Sequence, residues 1–499
     1  MSPKRLLIFI VAYNAEKNIE SVLKRIPKEM FQRADLLTEV LVIDDSSSDK
    51  TFATAVKQEN AGEIPVRVLV NPKNMGYGGN QKLGYHYALL HNFDYVALIH
   101  GDGQYAPESL PELITPLLSG ESDVVFGSRM LKRTGALKGG MPIYKFVGNI
   151  ILTNLQNLLS GAKLSEWHSG YRIYATSALR QVPFDRNSNN FDFDTDIIIQ
   201  LLLVHARIRE IPIPTFYGDE ICHVNGLAYG CRILLSCLQN RLQSLGLFYN
   251  RKFDIAADAR YRYQPKFHFP SSHSKALSWV NKGEKVLILG AGAPELVAPF
   301  LMKGCEIVAI ESEYHHELEK TYHKTIHGDL NTLDLDEALA GMRFDKVLAL
   351  DVLQHLTSPD TFLERLRSVS ACKTAHFLFT VPNVAFITSR VMLLLGFFNY
   401  GKHGILDRTH IRLFTLSSVK RALGQSGFEV SRIEGIPAPF PLALPGAPTL
   451  SKLLTLLNLC GIRLWKGLFA FQFACQSTAA PRLEDLFVAT EQHSREARA

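Results

Sequence analysis

Short apolar runs that break off into acidic or glycine-bearing turns recur along this chain, and that rhythm restricts its fold more than any other feature. Between residues 4 and 130 the runs RLLIFIVAY, EVLVIDD, VRVLVN, YVALIHGD and DVVFGSR each have strand length and are rich in branched and aromatic residues. Segments of helical period separate them. AEKNIESVLKRI places Ile19, Val22, Leu23 and Ile26 on one face, GGNQKLGYHYALL follows a polar turn, and Pro107 opens a further helix. Strands alternating with helices make a mostly parallel sheet covered on both faces. In such sheets ligands collect at the carboxyl edge. Residues 143–240 add helices around a short returning strand, RIREIPIP.

A second alternation starts at Lys285. KVLILGAGAPELVAPFLMKGCEIVAIE reads as strand, glycine loop, helix and strand, and FDKVLALD and AHFLFTVPN are further strands. The stretch between the two alternations, RYQPKFHFPSSHSK, has no helical period and holds prolines and serines, as a linker does. The expected organisation is therefore α/β throughout, in two doubly wound units. One spans residues 1–250, a linker 251–271, the second unit 272–435, and a Pro-rich, apolar helical extension 436–499.

Composition narrows the function. A net charge of +6 over 499 residues is too weak a bias for a dedicated nucleic-acid binder. The seven cysteines form no C-x-x-C, which suits reduced thiols in the cytoplasm. The apolar run after Lys4 and Arg5 stops at Ala12 with no A-x-A beyond it, so it reads as a strand and not a signal peptide. No uninterrupted apolar stretch reaches membrane-spanning length, and no C-terminal hydrophobic anchor is expected. Leu450–Cys475 mixes leucines with Lys, Arg, Trp and Phe. It reads as a helix pair packed on the second unit, or as an interfacial contact with a membrane.

Two groups of residues carry chemistry. In the first unit, Asp44 and Asp45 stand at a strand end, where carboxylates can receive base and ribose donors. Asp102 and Gln104 alternate in a loop and could share one hard cation. Gly76, Gly78 and Gly79 permit close backbone approach. Taken alone, D-D-S is more often a helix N-cap turn than a ligand.

Together, VAYNAE, VIDDSSSDKT, NPKNMGYGGN and HGDGQYAPE resemble family-2 glycosyltransferases of the GT-A fold, in the dolichol-phosphate mannosyltransferase-like branch, over about residues 5–235. The resemblance implies a nucleoside site of Ala12, Tyr13, Asn14, Glu16, Asp44 and Asp45, with Gly76 and Gly78 beside it. It implies a Mg²⁺ or Mn²⁺ loop of His100, Asp102 and Gln104, with histidine where the family has its first aspartate. It implies an arginine facing the diphosphate or acceptor phosphate at Arg129, and an acceptor-end element EWHSGYR with Glu166, Trp167, His168 and Arg172. In FDFDTDI it makes Asp196 the candidate general base. A polyprenyl phosphate acceptor would need no base, since its oxygen is already anionic, whereas a sugar hydroxyl would need one.

In the second unit, GAGAPE follows a strand and Glu311 ends the next one. A dinucleotide fingerprint would need glycine at 295, where the chain has Glu295. The pattern resembles the class I S-adenosylmethionine methyltransferase fold over about residues 272–435, departing from motif I at Ile288 and Pro294. The resemblance implies donor contacts at Gly290, Gly292, Glu311, Asp329 and Asp351. It implies an active site near His355, and an acceptor side at Asp407, Arg408, Thr409 and His410, with His355 or His410 able to take a proton.

The reading that follows is a bifunctional enzyme. It moves a sugar from a nucleotide diphosphate to a polyprenyl phosphate or glycan, inverting and metal-assisted, and methylates a related glycan with S-adenosylmethionine. It would work in the cytoplasm, with peripheral contact at the inner face of the membrane. The rivals are a glycosyltransferase with an inert methyltransferase-like appendage, and a non-catalytic scaffold for glycans or membranes.

Overall fold

The computed structural model describes residues 3–214, 226–244, 248–255, 266–290, 294–312, 324–402, 404–444, 447–482 and 486–487. They form two compact units. Residues up to 243 with 250–255 make one; residues 244 and 248–249 with those from 266 onward make the other.

The first unit alternates β1 (Lys4–Ala12), α1 (Ile19–Lys24), β2 (Leu36–Asp44), α2 (Thr51–Ala61), β3 (Val66–Val70), α3 (Tyr77–Leu90), β4 (Tyr95–His100), α4 (Leu110–Leu118) and β5 (Val124–Ser128). There follow α5 (Ile143–Ser160), β6 (Arg172–Ala175), α6 (Phe193–Leu203), β7 (Ile208–Pro212) and α7 (Gly226–Ser244). The sheet order is β3-β2-β1-β4-β6-β5-β7. Its pairs are parallel except where β6 enters antiparallel between β4 and β5. β1 shows why its sequence is a continuous apolar run. Leu6, Ile8 and Ile10 enter one core, and Leu7, Phe9 and Val11 the core on the opposite face. Strand β6 was not expected: RIYA is four residues long and has no room for a period.

The parallel register sets the site. Ala12 pairs with Asp44, and Val11 with His100. The ends of β1, β2 and β4, and the turns that follow them, therefore share one carboxyl edge.

The second unit opens with α8 (Ser272–Trp279), started by a capping box between Ser271 and Ser274. It continues through β8 (Lys285–Leu289), α9 (Pro294–Met302), β9 (Glu306–Glu311), β10 (Lys324–His327), β11 (Lys346–Leu350), α10 (Pro359–Ser368), β12 (His376–Pro382) and α11 (Ile387–Leu394). It closes with α12 (Leu416–Gln425), β13 (Phe428–Ile436), α13 (Pro448–Leu464) and β14 (Gln472–Ala479). Its sheet order is β10-β9-β8-β11-β12-β14-β13, with β14 antiparallel to both neighbours. The tail expected to be helical is thus helix only as far as α13 and a short turn of helix after it. Its last apolar run, FACQSTA, is an internal strand whose Phe473 and Cys475 fill one core and Ala474 the other. A short apolar run does not distinguish strand from buried helix by period.

Candidate active sites

At the carboxyl edge of the first sheet, the turns after β1 and β2 are laced into one rim. The Asn14 side-chain oxygen accepts from the Ser48 amide at 3.0 Å, and the Asn14 amide donates to Ser47 Oγ at 2.8 Å. The Ala15 amide donates to Thr51 Oγ1 at 2.7 Å, and the Glu16 carboxylate accepts from the Lys50 amide at 3.1 Å. Asn14 and Ser46 both hold positive φ, of 48° and 60°, as strained residues at binding rims do. Ala12 is buried beneath, and Tyr13 is 52% exposed above it.

The two aspartates differ. Asp44 is buried against Ser47, whose hydroxyl and amide both donate to it. Burial raises its carboxyl above the usual range, against the Ser47 bonds that lower it. Asp45, also buried, accepts from Asn71 Nδ2 at 2.7 Å, the Met75 amide at 2.8 Å and the Gly76 amide at 2.9 Å. The expectation that Asp45 meets the nucleoside is therefore corrected: its carboxylate pins the turn that leads into α3. Helix α2 is not begun by Asp45 either, since Asp49 takes the Thr51 amide at 3.0 Å. Gly76 and Gly78 are corrected likewise. A Cβ at Gly76 would lie 2.5 Å from the Asn189 carbonyl oxygen, and one at Gly78 2.4 Å from that of Ser188. The missing side chains at these glycines let residues 188–190 pack against α3.

His100 ends β4 in an aromatic frame, edge-on to Tyr77 and Tyr105. Its Nε2 lies 3.0 Å from the Tyr77 hydroxyl, and that hydroxyl lies 3.1 Å from Asp194 Oδ2. The Asp194 carboxylate is paired with buried Arg172 at 3.2 Å. A carboxylate only accepts, so the one Tyr77 proton goes to Asp194, and His100 Nε2–H donates to Tyr77. Burial lowers the imidazole's proton affinity, so the ring is neutral at pH 7. Its Nδ1 lone pair then faces Asp102, whose Oδ2 is 3.9 Å away. Asp102 Oδ1 accepts from the Gln104 amide at 3.0 Å, and its carbonyl holds Asn18 at 2.8 Å. Among the described residues no three His, Cys, Asp or Glu side chains converge into a metal cage. The donor pair of Nδ1 and a half-exposed carboxylate fits a divalent ion only with phosphate oxygens completing its shell. Gly170 of the S-G-Y-R element has no alternative here, since a Cβ would sit 2.4 Å from His100 Nε2.

Beside this frame, Arg129 meets the fully buried carboxylate of Glu166. Its amide donates to Oε2 at 2.8 Å and its Nε to Oε1 at 3.0 Å, and its Nη2 also reaches Oε1. Asn149 of α5 adds a donor to the same carboxylate at 2.9 Å. Burial pushes Glu166 up, but the Arg129 charge and these donors outweigh it and hold the carboxyl below its ordinary value. His168 Nδ1 lies 3.0 Å from the Tyr229 hydroxyl, while its Nε2 is buried without a partner. Burial drives this imidazole down to about 4.

Two expected site residues are corrected. Arg172 is buried within the sheet, donating to the carbonyls of Ser169 at 2.8 Å and Trp167 at 3.0 Å while pairing with Asp194. It shapes the W-H-S-G turn and does not reach the edge. Asp196 is also fully buried, with Oδ1 held by Lys252 Nζ at 2.7 Å and Ser236 Oγ at 2.6 Å, and Oδ2 by the Ser188 amide at 3.1 Å. A carboxylate so neutralised and saturated has no place for an acceptor's proton. Sequence reasoning missed Asp194, two positions earlier in the same motif, and Tyr77. The signal for both was present in FDFDTDI and MGYGGN.

In the second unit, Gly290 leaves β8 with φ of 67°, and a Cβ there would lie 3.2 Å from Val352. Gly292 lies outside the described residues. Ile288 is buried in the core beside β9 and β11, so no acid stands at that place in motif I. Asp351, after β11, has φ of 57°; it accepts from Thr380 Oγ1 at 3.0 Å, Gln472 Nε2 at 3.1 Å and Ser272 Oγ at 3.3 Å. Glu311 ends β9, buried, and Asp329 after β10 is exposed and accepts from Asn331. His355 and His410 come together edge-to-face at 5.0 Å. Each Nδ1 meets a carbonyl, that of Thr409 at 3.1 Å and of Ile405 at 2.9 Å. Carbonyls only accept, so each neutral ring carries its proton on Nδ1 and its lone pair on Nε2. Burial lowers His410 and keeps that lone pair available. Asp407 takes the Thr409 amide and hydroxyl, both at 2.8 Å, and the Arg408 amide donates to the Gly401 carbonyl at 2.9 Å, which closes the loop that carries His410.

Sequence profiles match both units: one described as "Glycosyl transferase family 2" over residues 7–182, and one described as "Methyltransferase domain" over residues 257–433. The chain carries a family-2 glycosyltransferase domain and a methyltransferase domain. The glycosyltransferase domain is similar to the UDP-N-acetylglucosamine--dolichyl-phosphate N-acetylglucosaminyltransferase of Methanococcus voltae, at 27% identity over 44% of this chain and 88% of that protein. It is also similar to the polyprenol monophosphomannose synthase of Mycolicibacterium smegmatis, at 25% identity over 44% of this chain and 79% of that protein. Among solved structures, the glucosyl-3-phosphoglycerate synthase of M. tuberculosis aligns with 47% of this chain and 80% of its own, at 19% identity and a TM-score of 0.35.

Proposed function

We propose that the glycosyltransferase domain transfers a sugar from a nucleotide diphosphate to a polyprenyl phosphate. The observation that carries this choice over a sugar hydroxyl is the state of Asp196. Held by Lys252, Ser236 and the Ser188 amide, it cannot serve as a general base. Asp194 is likewise spent on Arg172 and Tyr77. A phosphate acceptor brings its own anionic oxygen, so the chemistry reduces to alignment and charge stabilisation. The rim of Tyr13, Asn14 and Glu16 receives the nucleoside, with Asp44 beneath it. His100 Nδ1 and Asp102 offer the protein's share of a cation site. Mg²⁺ or Mn²⁺ bound there supplies positive charge to the leaving diphosphate. Arg129, aligned by Glu166, adds a guanidinium fork suited to phosphate. The two dolichyl- and polyprenol-directed relatives support this acceptor class. The test is transfer from a panel of nucleotide sugars with polyprenyl phosphate present or absent. Asp102→Ala is expected to lower turnover by at least a hundredfold; unchanged turnover removes the cation site, and transfer to a free sugar alone removes the phosphate acceptor.

The methyltransferase domain, in the same proposal, takes S-adenosylmethionine as co-substrate at the carboxyl edge of its sheet. Gly290, Glu311, Asp329 and Asp351 border that edge, and the Nε2 lone pairs of His355 and His410 can relieve a hydroxyl of its proton. A glycan-related methyl acceptor would couple the two steps. Titration calorimetry with S-adenosylmethionine decides whether this unit works. Absence of heat would leave the glycosyltransferase with an inert partner domain.

A further inference from the structure

Asp351 is held by three parts of the chain that the sequence keeps apart. It follows β11 with a φ of 57°, a conformation that aspartate and asparagine adopt more readily than most residues but that still costs energy. Its Oδ1 accepts from Thr380 Oγ1 of β12 at 3.0 Å and from Gln472 Nε2 of β14 at 3.1 Å. Its Oδ2 accepts from Ser272 Oγ, in the first turn of α8, at 3.3 Å. Gln472 lies 121 positions from Asp351 and beyond residues 257–433, the part of the chain that the methyltransferase profile matches. The parallel register sets Ala349 beside Leu289, so Asp351 stands at the turn that Gly290 begins.

All three partners are neutral. Among the described residues no Lys or Arg pairs with this carboxylate. The imidazoles that feel its charge, His273 and His410, are both pushed down by burial and are neutral at pH 7. The three donors therefore fix where the oxygens lie without cancelling the charge. A carboxylate offers about four acceptor positions, two on each oxygen. Both on Oδ1 are filled, and one on Oδ2 is left beside Ser272. A half-buried anion with no counter-charge and one open acceptor fits a cation that carries N–H. S-adenosylmethionine brings two positive charges, an α-ammonium and a sulfonium, and only the ammonium has hydrogens to donate. Resting on the reading of this unit as a methyltransferase, we propose that Asp351 binds the α-ammonium of S-adenosylmethionine and that Gln472, with Ser272, is a positioning residue that aims the carboxylate. Strand β14 then completes the donor site from outside the matched profile.

The test is titration calorimetry of the full chain with S-adenosylmethionine, S-adenosylhomocysteine and methylthioadenosine. The second keeps the ammonium without the sulfonium, and the third has neither. Wild type should bind all three. Asp351→Asn tolerates the same backbone and keeps an acceptor for Thr380 and Gln472, while the Ser272 hydroxyl can turn to accept. It should weaken the first two ligands by about tenfold or more and leave methylthioadenosine within about twofold of wild type. Gln472→Leu should weaken the same two by a smaller factor, roughly threefold to tenfold, and add nothing in the Asp351→Asn background, because it acts through that carboxylate. Equal loss of all three ligands in either variant would assign a structural role and overturn the proposal. Weakened S-adenosylmethionine with unchanged S-adenosylhomocysteine would give the charge to the sulfonium and overturn it as well. Additive losses in the double variant would remove the positioning role of Gln472. Wild type that bound none of the three would overturn the methyltransferase reading itself, and this proposal with it.

Discussion

Replacing Glu166 by Gln tests the clamp that holds Arg129. The carboxylate has no exposed surface and accepts from the Arg129 amide, Nε and Nη2 and from Asn149 Nδ2. Glutamine keeps the shape but turns one acceptor into a donor facing other donors, and leaves the guanidinium buried without a counter-charge. Breaking one side of a buried pair costs about 3–5 kcal/mol. For a unit of this size each kcal/mol moves Tm by about 2–4 °C, so the first unit's transition should fall by roughly 6–20 °C. Circular dichroism melts of the full chain read this directly. The pH dependence has a definite sign. The folded carboxyl is held below its ordinary value of 4.5, so its contribution is present above that value and is lost as pH falls through the lower folded one. Wild type should therefore lose stability below about pH 4.5 by a component that E166Q lacks. The double variant R129M, E166L, which removes both charges, should be more stable than E166Q. An E166Q transition within about 2 °C of wild type, or equal acid sensitivity in both proteins, would refute the reasoning.

Tyr77→Phe removes the acceptor that fixes the proton of His100 on Nε2. Calorimetric Mn²⁺ affinity in the presence of a nucleoside diphosphate should fall several-fold, while Asp102→Asn falls further. Asp196→Asn should lower the melting temperature through the stranded Lys252, at a cost of about 3–5 kcal/mol, yet leave the shape of the transfer pH profile unchanged. A lost basic limb in that profile would restore Asp196 as base. Asp351→Ala should abolish the heat of S-adenosylmethionine binding, with the β12–β14 pairing monitored by hydrogen exchange to separate local unfolding from a lost contact.

Much of the fold is legible where a strand is buried on both faces. β1, β2, β4, β8 and β11 announce themselves as apolar runs because most of their residues, whichever way they point, enter a core. β6 and β10, four residues each, leave no such trace. β14 reads as helix because it is short and apolar, and its place between β12 and β13 is set by partners more than thirty residues away.

The sequence by itself determined two α/β units, the rim of Asn14, Glu16 and Asp44, the His100–Asp102 loop and the meeting of chemistry with the sheet edge, because strand ends and their turns are local. Tertiary structure alone decided which acid serves which purpose. Asp194 and Asp196 lie two positions apart on α6, hence on nearly opposite faces, and all of Phe193–Leu201 is buried, so no polarity pattern marks the side facing the site. Only packing sends Asp194 to Tyr77 and His100, and Asp196 to Lys252. The same holds for α5, whose polar inner face has meaning only once Glu166 is seen across from it.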